Sequence, residues 1–330
     1  MVERKLAFER PRLRPNVMIG WRNHTAALSY REQGCELDIP AEAETQARLL
    51  LELLVSGARV GKLVSAAPLL ADQLPDFLEE LDRLGLLLET HIPFQAGNLC
   101  GEEFYYRLRL FASKVTASRA RNIFHRALTS RSVSREQLIG YVIEYYHLVN
   151  HASRIIAPAL SHADTKKTHI ILSNFLASEM GHDRMLLEAL NAVGIREEHV
   201  TYLMPLPATF ALISALAVLA AQDPLSFKSM LFVFEEADAR FGKAFEQRCK
   251  ELDMPTAFFE PVLRHADLND EYDHGDISRD LLSEVAVVTI EQQSVVKKHV
   301  AVVLESLVEM ETEILEHYVV ESGHEGRRKD

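Results

Sequence analysis

The sequence predicts a mainly α-helical protein, in which a helical bundle follows a small domain of strands and helices. Two observations lead to this fold class. From about residue 114 to residue 320, apolar residues recur at steps of three and four, and prolines or glycines separate the segments. Before residue 95, short apolar runs of strand type precede two amphipathic helices. A chain of 330 residues is long enough for both domains.

The N-terminal domain, residues 1–95, has the predicted elements of a winged helix. The runs PNVMIGW, AALSY and CELDIP predict small strands, and two amphipathic helices follow that end at Gly57 and Gly85. The run LLLETHI then predicts a further strand. This order resembles the small winged-helix modules related to the pyrroloquinoline-quinone chaperone. Those modules bind a leader peptide along a strand edge, so the resemblance implies a peptide or carrier as partner. A packing or dimerisation domain is the alternative.

Residues 96–113 contain Gly97, Asn98 and Gly101 and are predicted to be a linker. Six or seven long helices joined by short loops then form the bundle, residues 114–320, before a disordered polar tail at 321–330. A capping box from Ser134 to Gln137 begins one of these helices. We expect a single helix from Thr165 to Gly194, and one long final segment from residue 277 to 320 without internal Gly or Pro.

Composition and charge exclude several classes of function. The net charge of -12 is unfavourable for binding nucleic acid, because a duplex-binding surface needs clustered lysine and arginine. The most apolar run, residues 208–221, is shorter than the roughly 20 residues that span a bilayer. The N-terminus lacks the apolar core of a signal peptide, and the three cysteines are widely spaced. We therefore expect a cytoplasmic protein that binds neither nucleic acid nor a membrane.

An ionisable pair lies on the apolar face of the predicted helix 165–194. Glu179 and His182 fall among the residues of that face, which are Leu172, Phe175, Leu176, Leu186 and Leu190. The spacing Glu-x-x-His brings a carboxylate and an imidazole to one side of a helix, where both can bind the same iron. The pattern occurs four times, at Glu144/His147, Glu179/His182, Glu271/His274 and Glu321/His324.

Position on the helix distinguishes these four pairs. Glu144 also points inward, because it is in line with Tyr141, Leu148 and Ile155. A buried carboxylate without a partner costs several kcal/mol, and a metal cation offsets that cost. Inward carboxylates on consecutive helices therefore predict a metal site. A buried ion pair or a hydrogen-bonded polar network is the alternative.

A second dense group of His, Asp and Glu is the segment RHADLNDEYDHGD, residues 264–276. His265 and His274 enclose four acidic residues within it, which makes the segment a source of further metal ligands. A solvated acidic loop is the alternative.

From about residue 133 to 285 the chain resembles the haem-oxygenase-like diiron oxidases and oxygenases, relatives of pyrroloquinoline quinone synthase and of the thiaminase-II group. The resemblance is carried by IEYYHLVNH, by SEMGHDRMLLEALNAVGI and by MPLPATFALISALAVLAAQDPLSFKSMLFVFEE. In that family one helix supplies a Glu, the next supplies Glu-x-x-His, and a later helix supplies His-x-x-x-Asp-x-x-His. The resemblance therefore implies Glu144, Glu179 and His182 as iron ligands.

The last motif of the family is altered in this chain, because Asn269 and Tyr272 stand where Asp and His are expected. The nearest ligand set is His265, Asp270 and His274, which requires a bulge or local unwinding of the helix. Two other assignments remain open. One uses Asp267, Glu271 and His274, and the other is a ferritin-like arrangement in which Glu236 and Glu271 repeat the spacing of Glu144 and Glu179.

The resemblance implies a non-haem diiron enzyme that binds two ferrous ions and uses dioxygen as co-substrate. Its substrate would be a small amine, an amino-acid-like molecule or a peptide- or carrier-linked group in a biosynthetic pathway. Tyr272 is predicted as a catalytic proton or electron donor, with Tyr145 and Tyr146 as further candidates. The helix 208–221, Phe175, Phe232 and Phe234 are predicted to line a dry pocket, although such residues also form ordinary core.

Two other functions are compatible with the sequence. One is a metal-free member of the same fold, either a cofactorless oxidase or a thiaminase-like hydrolase, which the altered motif favours. The other is a non-catalytic helical scaffold that binds partners through its winged-helix-like end. A homodimer is compatible with each of them.

Overall fold

The computed structural model describes residues 8–118, 122–235, 239–271 and 277–319, with the backbone alone at 266–271. The chain divides into two compact units. Unit 1 consists of residues 1–104 and 282–293, and unit 2 of residues 105–281 and 294–330. The predicted fold class is confirmed, since a small α+β region precedes a helical domain. None of the described helices is both long and apolar enough to cross a bilayer.

Four strands begin unit 1: β1 (Pro11–Leu13), β2 (Met18–Arg22), β3 (Thr25–Tyr30) and β4 (Gln33–Asp38). Strands β2, β3 and β4 form an antiparallel sheet in that order, in which Trp21 pairs with Ala26 and Ala26 with Leu37. Ala26 and Leu28 alternate with more exposed neighbours and are buried, as expected for a sheet with one face on a core. The three predicted strands are therefore confirmed, and β4 lies at the edge of the sheet.

The rest of the N-terminal region is α1 (Glu44–Ser56), α2 (Val60–Ala66), α3 (Leu74–Arg83) and β5 (Leu87–Glu89). Buried leucines from the helices and the sheet form one core, among them Leu28, Leu54, Leu63, Leu78 and Leu81. Strands followed by three helices agree in part with the winged-helix resemblance. The agreement is partial because β5 pairs antiparallel with β1, which the sequence analysis did not predict.

In the described residues after unit 1's strands, thirteen helices follow: α4 (Gly101–Ser118), α5 (Ile123–Thr129), α6 (Arg135–Leu160), α7 (Lys166–Glu179), α8 (Asp183–Asn191), α9 (Glu197–Tyr202), α10 (Pro207–Gln222), α11 (Pro224–Met230), α12 (Phe232–Glu235), α13 (Ala239–Glu251), α14 (Thr256–Glu271), α15 (Ile277–Ser283) and α16 (Ile290–His317). Helix α6 begins with the predicted capping box, in which Ser134 and Gln137 satisfy each other's backbone N–H groups. It packs against α7, α8 and α10, and α8 packs against α14. These five helices surround the site described below.

Three segments differ from the sequence predictions. Residues 101–113 are helical because Phe104, Tyr105 and Leu108 recur at helical spacing and are buried. The predicted helix 165–194 is two helices, α7 and α8, separated at Met180 and Gly181. The predicted long segment from residue 277 is also divided, into α15 and α16.

The division between α15 and α16 has a structural cause within unit 1. Val288 forms an antiparallel β-bridge with Leu99, so this part of the chain is extended rather than helical. Glu284 forms a buried ion pair with Arg14, with 3.0 Å between Nη1 and Oε1. A segment from the C-terminal third of the sequence is therefore part of the N-terminal unit.

Candidate metal and substrate site

A cavity of about 100 Å³ lies among the helices of unit 2. Ten of its lining residues are apolar: Leu148, Val149, Ala152, Ile155, Ile156, Phe175, Leu216, Phe227, Leu231 and Phe234. Four carry polar groups: Tyr145, Glu179, Glu235 and His265. Of the predicted wall, Phe175, Phe234 and Leu216 from the helix 208–221 line the cavity. Phe232 instead packs its ring edge-on against Tyr105, with 6.1 Å between the ring centroids.

Glu179 and His182 are close together, but not in the way that the sequence predicts. Glu179 is the last residue of α7, and His182 caps the start of α8. Between them Met180 is extended and Gly181 has a φ of 91°, a backbone conformation that glycine adopts without strain. Across this turn Oε2 of Glu179 is 3.5 Å from Nδ1 of His182, and both side chains are buried. The pair is therefore made by a turn between two helices and not by one helix face.

His265, on α14, faces the same end of the cavity. Its Nδ1 is 2.9 Å from the hydroxyl oxygen of Tyr145 on α6, and the two rings meet edge-on. The ring of His265 also meets the ring of His182 edge-on, with 5.0 Å between centroids. Nε2 of His265 is buried and has no hydrogen-bond partner among the residues that the structure describes. The imidazole is thus held at one nitrogen and open at the other.

The electrostatics of these groups follow from their burial. Burial, with a smaller effect of His182, lowers the pKa of His265 to about 4, so this ring is neutral at pH 7. The adjacent carboxylate of Glu179 raises the pKa of His182. Burial raises the pKa of Tyr145 well above its ordinary value, so the phenol keeps its proton. A neutral imidazole and a carboxylate are the protonation states that bind a metal cation.

Glu144 is buried as predicted, but the structure does not bring it to this group. Its carboxylate accepts a hydrogen bond from the backbone N–H of Leu206 at 3.0 Å and another from the hydroxyl of Tyr318 at 2.9 Å. The ring of Tyr318 packs on Gly140, where a Cβ atom would be 2.2 Å from it. Successive helix residues point about 100° apart, so Tyr145 faces the cavity while Glu144 faces the start of α10. In this structure Glu144 connects α6 to the start of α10 and to Tyr318, and its role as an iron ligand stays a prediction.

Several other predicted site residues lie outside the described part of the structure. These are Tyr272, His274 and Glu236, together with the side chains of Asp267, Asp270 and Glu271. The described backbone of α14 is α-helical from Thr256 to Glu271. The bulge that the ligand set His265, Asp270 and His274 requires is therefore absent from that stretch. Asp270 and His274 stay predictions.

Glu235 is a carboxylate of the cavity that the sequence analysis missed. It ends α12, is 8% exposed, and lines the cavity together with Glu179 and His265. A signal for it exists in the sequence, because four residues that line the cavity follow the helical spacing i, i+4, i+7 and i+8: Phe227, Leu231, Phe234 and Glu235. The ferritin-like alternative selected the neighbouring Glu236 instead.

The donor types at the polar end of the cavity fit iron, which accepts both carboxylate oxygen and imidazole nitrogen. The open Nε2 of His265 and the buried Glu179/His182 pair are the features that a metal ion would use. Within the described residues, however, no three His, Cys, Asp or Glu side chains are close enough together to hold an ion. A complete coordination sphere would need small side-chain shifts or ligands from residues 266–276.

A family model for iron-containing redox enzymes matches residues 139–305. Among solved structures, the chain is similar to a domain of unknown function with a haem-oxygenase-like fold from Shewanella denitrificans OS217. That structure is 17% identical with a TM-score of 0.51, over 66% of this chain and 90% of the other. A comparison with curated proteins gives no match.

Two structures of TenA homologues are also similar. One is from Pseudomonas syringae pv. tomato DC3000, with 10% identity and a TM-score of 0.54 over 64% of this chain and 93% of the other. The second, from P. horikoshii OT3, has 12% identity and a TM-score of 0.52 over 64% and 98%. At such identities the similarity establishes the fold alone, and it confirms the predicted haem-oxygenase-like bundle.

Proposed function

Because this chain belongs to the family of iron-containing redox enzymes, we propose that it is a non-haem diiron oxidase or oxygenase acting at the polar end of the unit 2 cavity. The observation that carries the proposal is that Glu179, Glu235 and His265 line one largely apolar cavity, with His182 beside Glu179 and His265. Four elements, α7, α8, α12 and α14, contribute these side chains. Buried ionisable groups from separate elements are typical of a functional site.

The proposed iron ligands are Glu179, His182 and His265, with Glu235 taking the place first assigned to Glu144. Both oxygens of Glu144 already accept hydrogen bonds, and these tie α6 to α10 and to Tyr318. Asp270 and His274 are proposed as the further ligands that a second ferrous ion needs. Their segment follows His265 directly in the chain.

Ferrous iron, when bound, supplies the electrons with which such enzymes reduce dioxygen, the proposed co-substrate. The residues of the chain would bind the substrate and exclude water. The ten apolar side chains of the cavity form a dry wall for a small amine or amino-acid-like molecule. Tyr145 holds its proton at the hydroxyl oxygen, beside His265, and is the described tyrosine best placed to donate it. Tyr272, the first candidate, stays a prediction.

Anaerobic titration with ferrous iron tests this proposal. The wild-type protein should bind iron, and admission of oxygen should then give a transient visible absorption. Glu179→Gln should weaken iron binding at least tenfold, whereas Glu144→Gln, which keeps a hydrogen-bond acceptor for Leu206, should leave it unchanged. A wild-type protein without iron above background would refute the proposal. An equal loss of iron affinity in both variants would refute the assignment of the ligands but not the binding of iron.

A metal-free member of the same fold is the second candidate, either a cofactorless oxidase or a thiaminase-like hydrolase. The specific observation in its favour is that the described donors do not by themselves form a group of three. The similarity in fold to TenA homologues is compatible with it. If turnover of a substrate persists after exhaustive chelation, with no iron in the protein, this candidate replaces the first.

We also propose that unit 1 binds a peptide or a carrier protein. A cavity of about 250 Å³ lies beside the edge strand β4 and is lined by apolar side chains of α1 and α3, such as Leu50 and Phe77. Glu36 and Asp38 border it, so an extended peptide with basic residues is the best match. Fluorescence anisotropy with labelled basic and acidic peptides tests this. Phe77→Ala, at a partly buried position of the lining, should weaken binding of the basic peptide at least tenfold, whereas Leu49→Ala on the exposed side of α1 should not. Equal binding of the acidic peptide would contradict the proposal.

A further inference from the structure

Helix α10 carries no charge on any side, although one side of it is exposed. None of its 16 residues is Asp, Glu, Lys or Arg. One side packs on α6 and contains buried residues such as Leu212 and Leu216. On the opposite side Phe210 and Val218 are about half exposed. A helix that is apolar all round is normally covered on all sides, so the exposed side of α10 indicates an interface.

Helix α16 lies antiparallel beside α10 in unit 2. The backbone N–H of Ala208, at the start of α10, donates a hydrogen bond to Glu313 at 2.7 Å. Asp223, directly after α10, is 3.0 Å from Nδ1 of His299. A groove of about 600 Å³ lies between these two contacts. Small, apolar and acidic residues of the two helices line it: Ala208, Ala211, Val302, Glu305, Ser306, Val308 and Glu309.

The exposed side of α16 has a basic end, an apolar middle and an acidic end. Lys298, Val302 and Glu309 are all exposed. They lie on one side of the helix, because steps of 4 and 7 residues are close to whole turns. Lys298 and Glu309 are about 16 Å apart along the helix axis. Such a stripe is complementary to a second copy of itself that runs in the opposite direction.

We propose that the face formed by α10 and by residues 295–309 of α16 is the interface of a homodimer with twofold symmetry. The two copies of α16 are antiparallel in it, so that Lys298 of each subunit meets Glu309 of the partner subunit. The twofold axis passes between these two ion pairs, close to Val302. The proposal is independent of the proposed iron site, because none of these residues lines the cavity of unit 2.

The centre of the proposed interface is apolar on both helices. Val218 lies on α10 at about the level of Val302 on α16, as judged from the two contacts that join the helices at the ends of the groove. Both valines are about half exposed. Near the axis each of them meets apolar surface of the partner subunit. An apolar centre with charged groups around it is the usual composition of a protein interface.

The charges select a second copy in the antiparallel orientation. The net charge of -12 opposes the approach of two copies, so a dimer needs a local match of charges. Antiparallel copies of α16 place the basic end of one on the acidic end of the other. Parallel copies would place each end on its own kind, which is repulsive. Helix α10 adds no charge to either arrangement.

Sedimentation velocity on the full chain tests the proposal. The wild type should be a dimer at roughly 50 µM. Lys298→Glu should raise the Kd of the dimer at least tenfold, because symmetry makes it replace two attractive pairs by two repulsive ones. Lys243→Glu, on the exposed side of α13, is the matched control and should leave the Kd unchanged. A wild type that stays a monomer would overturn the proposal and leave this face to a partner of another kind.

A mixture of two charge variants tests the pairing directly. Glu309→Lys alone should weaken the dimer as much as Lys298→Glu does. When the two variants are mixed, every pair again joins an acid to a base, so a mixed dimer should form about as tightly as the wild-type dimer. This recovery cannot come from misfolded protein. Failure of the mixture to dimerise would refute the pairing of Lys298 with Glu309.

Val302→Ser tests the position of the axis. The side chain contributes from both subunits, so its loss should raise the Kd of the dimer about tenfold. Leu110→Ser is the control, because Leu110 is at least as exposed but lies on α4. The same Kd in both variants would refute an axis close to Val302. Iron binding is measured separately, so the dimer and the diiron site can each fail without the other.

Discussion

Tyr145 controls the orientation of the His265 ring. The hydroxyl oxygen of Tyr145 is 2.9 Å from Nδ1 of His265. If Nδ1–H donates to that oxygen, Nε2 keeps the lone pair that a metal ion needs; if the phenol donates, Nε2 carries the proton and cannot bind. The proposed iron site requires the first arrangement. Tyr145 is therefore a positioning residue for His265.

Tyr145→Phe should weaken iron binding about 10- to 100-fold, because the imidazole loses the partner that fixes its tautomer. Tyr141→Phe, one turn earlier on α6 and stacked on Phe124, is the control and should bind iron like the wild type. Ferrous titrations measure both affinities. Nitrogen NMR of the metal-free protein identifies the protonated nitrogen of His265 directly. Protonation at Nε2, or wild-type affinity in Tyr145→Phe, would contradict this role.

His147 makes the stability of the fold dependent on pH. It is 3% exposed, and burial, followed by the neighbouring His151, lowers its pKa to about 4 from an ordinary value of 6.5. Between pH 6.5 and 4 the unfolded chain therefore binds the proton and the folded chain does not. The neutral ring of His147 makes its full contribution to the free energy of unfolding above pH 6.5. That contribution is lost as the pH falls toward 4.

Urea unfolding at pH 7 and at pH 4.5 should show this effect. The loss of stability on acidification should be smaller in His147→Asn than in the wild type by roughly 1–3 kcal/mol. Other histidines and the carboxylates contribute equally to both proteins, so the difference isolates His147. The same pH dependence in both proteins would show that His147 is not the cause.

At the scale of elements, the turn between α7 and α8 determines where Glu179 and His182 meet. Gly181 has a φ of 91°, and an added Cβ atom would have nothing within 4 Å. A substitution there is therefore strained in its backbone but does not clash. Helix periodicity alone gives no indication of this turn, because the residues on both sides keep their apolar spacing.

Gly181→Ala should lower stability by about 1–2 kcal/mol and should also weaken iron binding, because relief of the strain moves His182 relative to Glu179. Gly194→Ala is a matched control, since Gly194 has a φ of 85° in equally open space after α8. It should lose similar stability and keep its iron affinity. Thermal unfolding and ferrous titration give the two readouts. Loss of iron affinity in both variants would mean that general destabilisation, not the turn, affects the site.

At the scale of the whole molecule, the N-terminal unit contains buried contacts between residues 269 to 274 positions apart in the sequence. Arg14 pairs with Glu284 and donates a hydrogen bond to the carbonyl oxygen of Ser283 at 2.9 Å. Arg12 also donates to the carbonyl oxygen of Ala286. Removing one charge from the buried pair leaves the other without its partner in a dry environment.

Glu284→Gln should therefore destabilise unit 1 by about 3–5 kcal/mol. Trp21, the single tryptophan of the chain, lies in β2 and reports the unfolding of this unit by its fluorescence. Glu80→Gln is the control, because the ion pair of Glu80 with Arg83 is exposed and its loss should change little. Equal midpoints for the two variants would contradict the importance of the distant segment.

The sequence was sufficient for the fold class and for part of the site. The periodicity of apolar residues identified the helices, and the strand runs identified β2, β3 and β4, since both signals are local. The burial of Glu144, Glu179 and His182 was also predictable, because each lies in line with apolar neighbours. The elements β1 and α2 were missed because they are short, and the break before α16 because its cause, the bridge from Val288 to Leu99, is not local.

What the sequence alone determined is therefore the fold class and the burial of Glu144, Glu179 and His182. Only the tertiary structure decided what each buried group faces. Glu144 and Tyr145 are adjacent and both lie in the interior, yet one accepts hydrogen bonds from Leu206 and Tyr318 while the other lines the cavity. That Glu235 lines the cavity follows from the packing of α12 and was not predicted from the sequence. The reason is that periodicity gives the direction of a side chain from its own helix axis, whereas a site depends on how the helices pack.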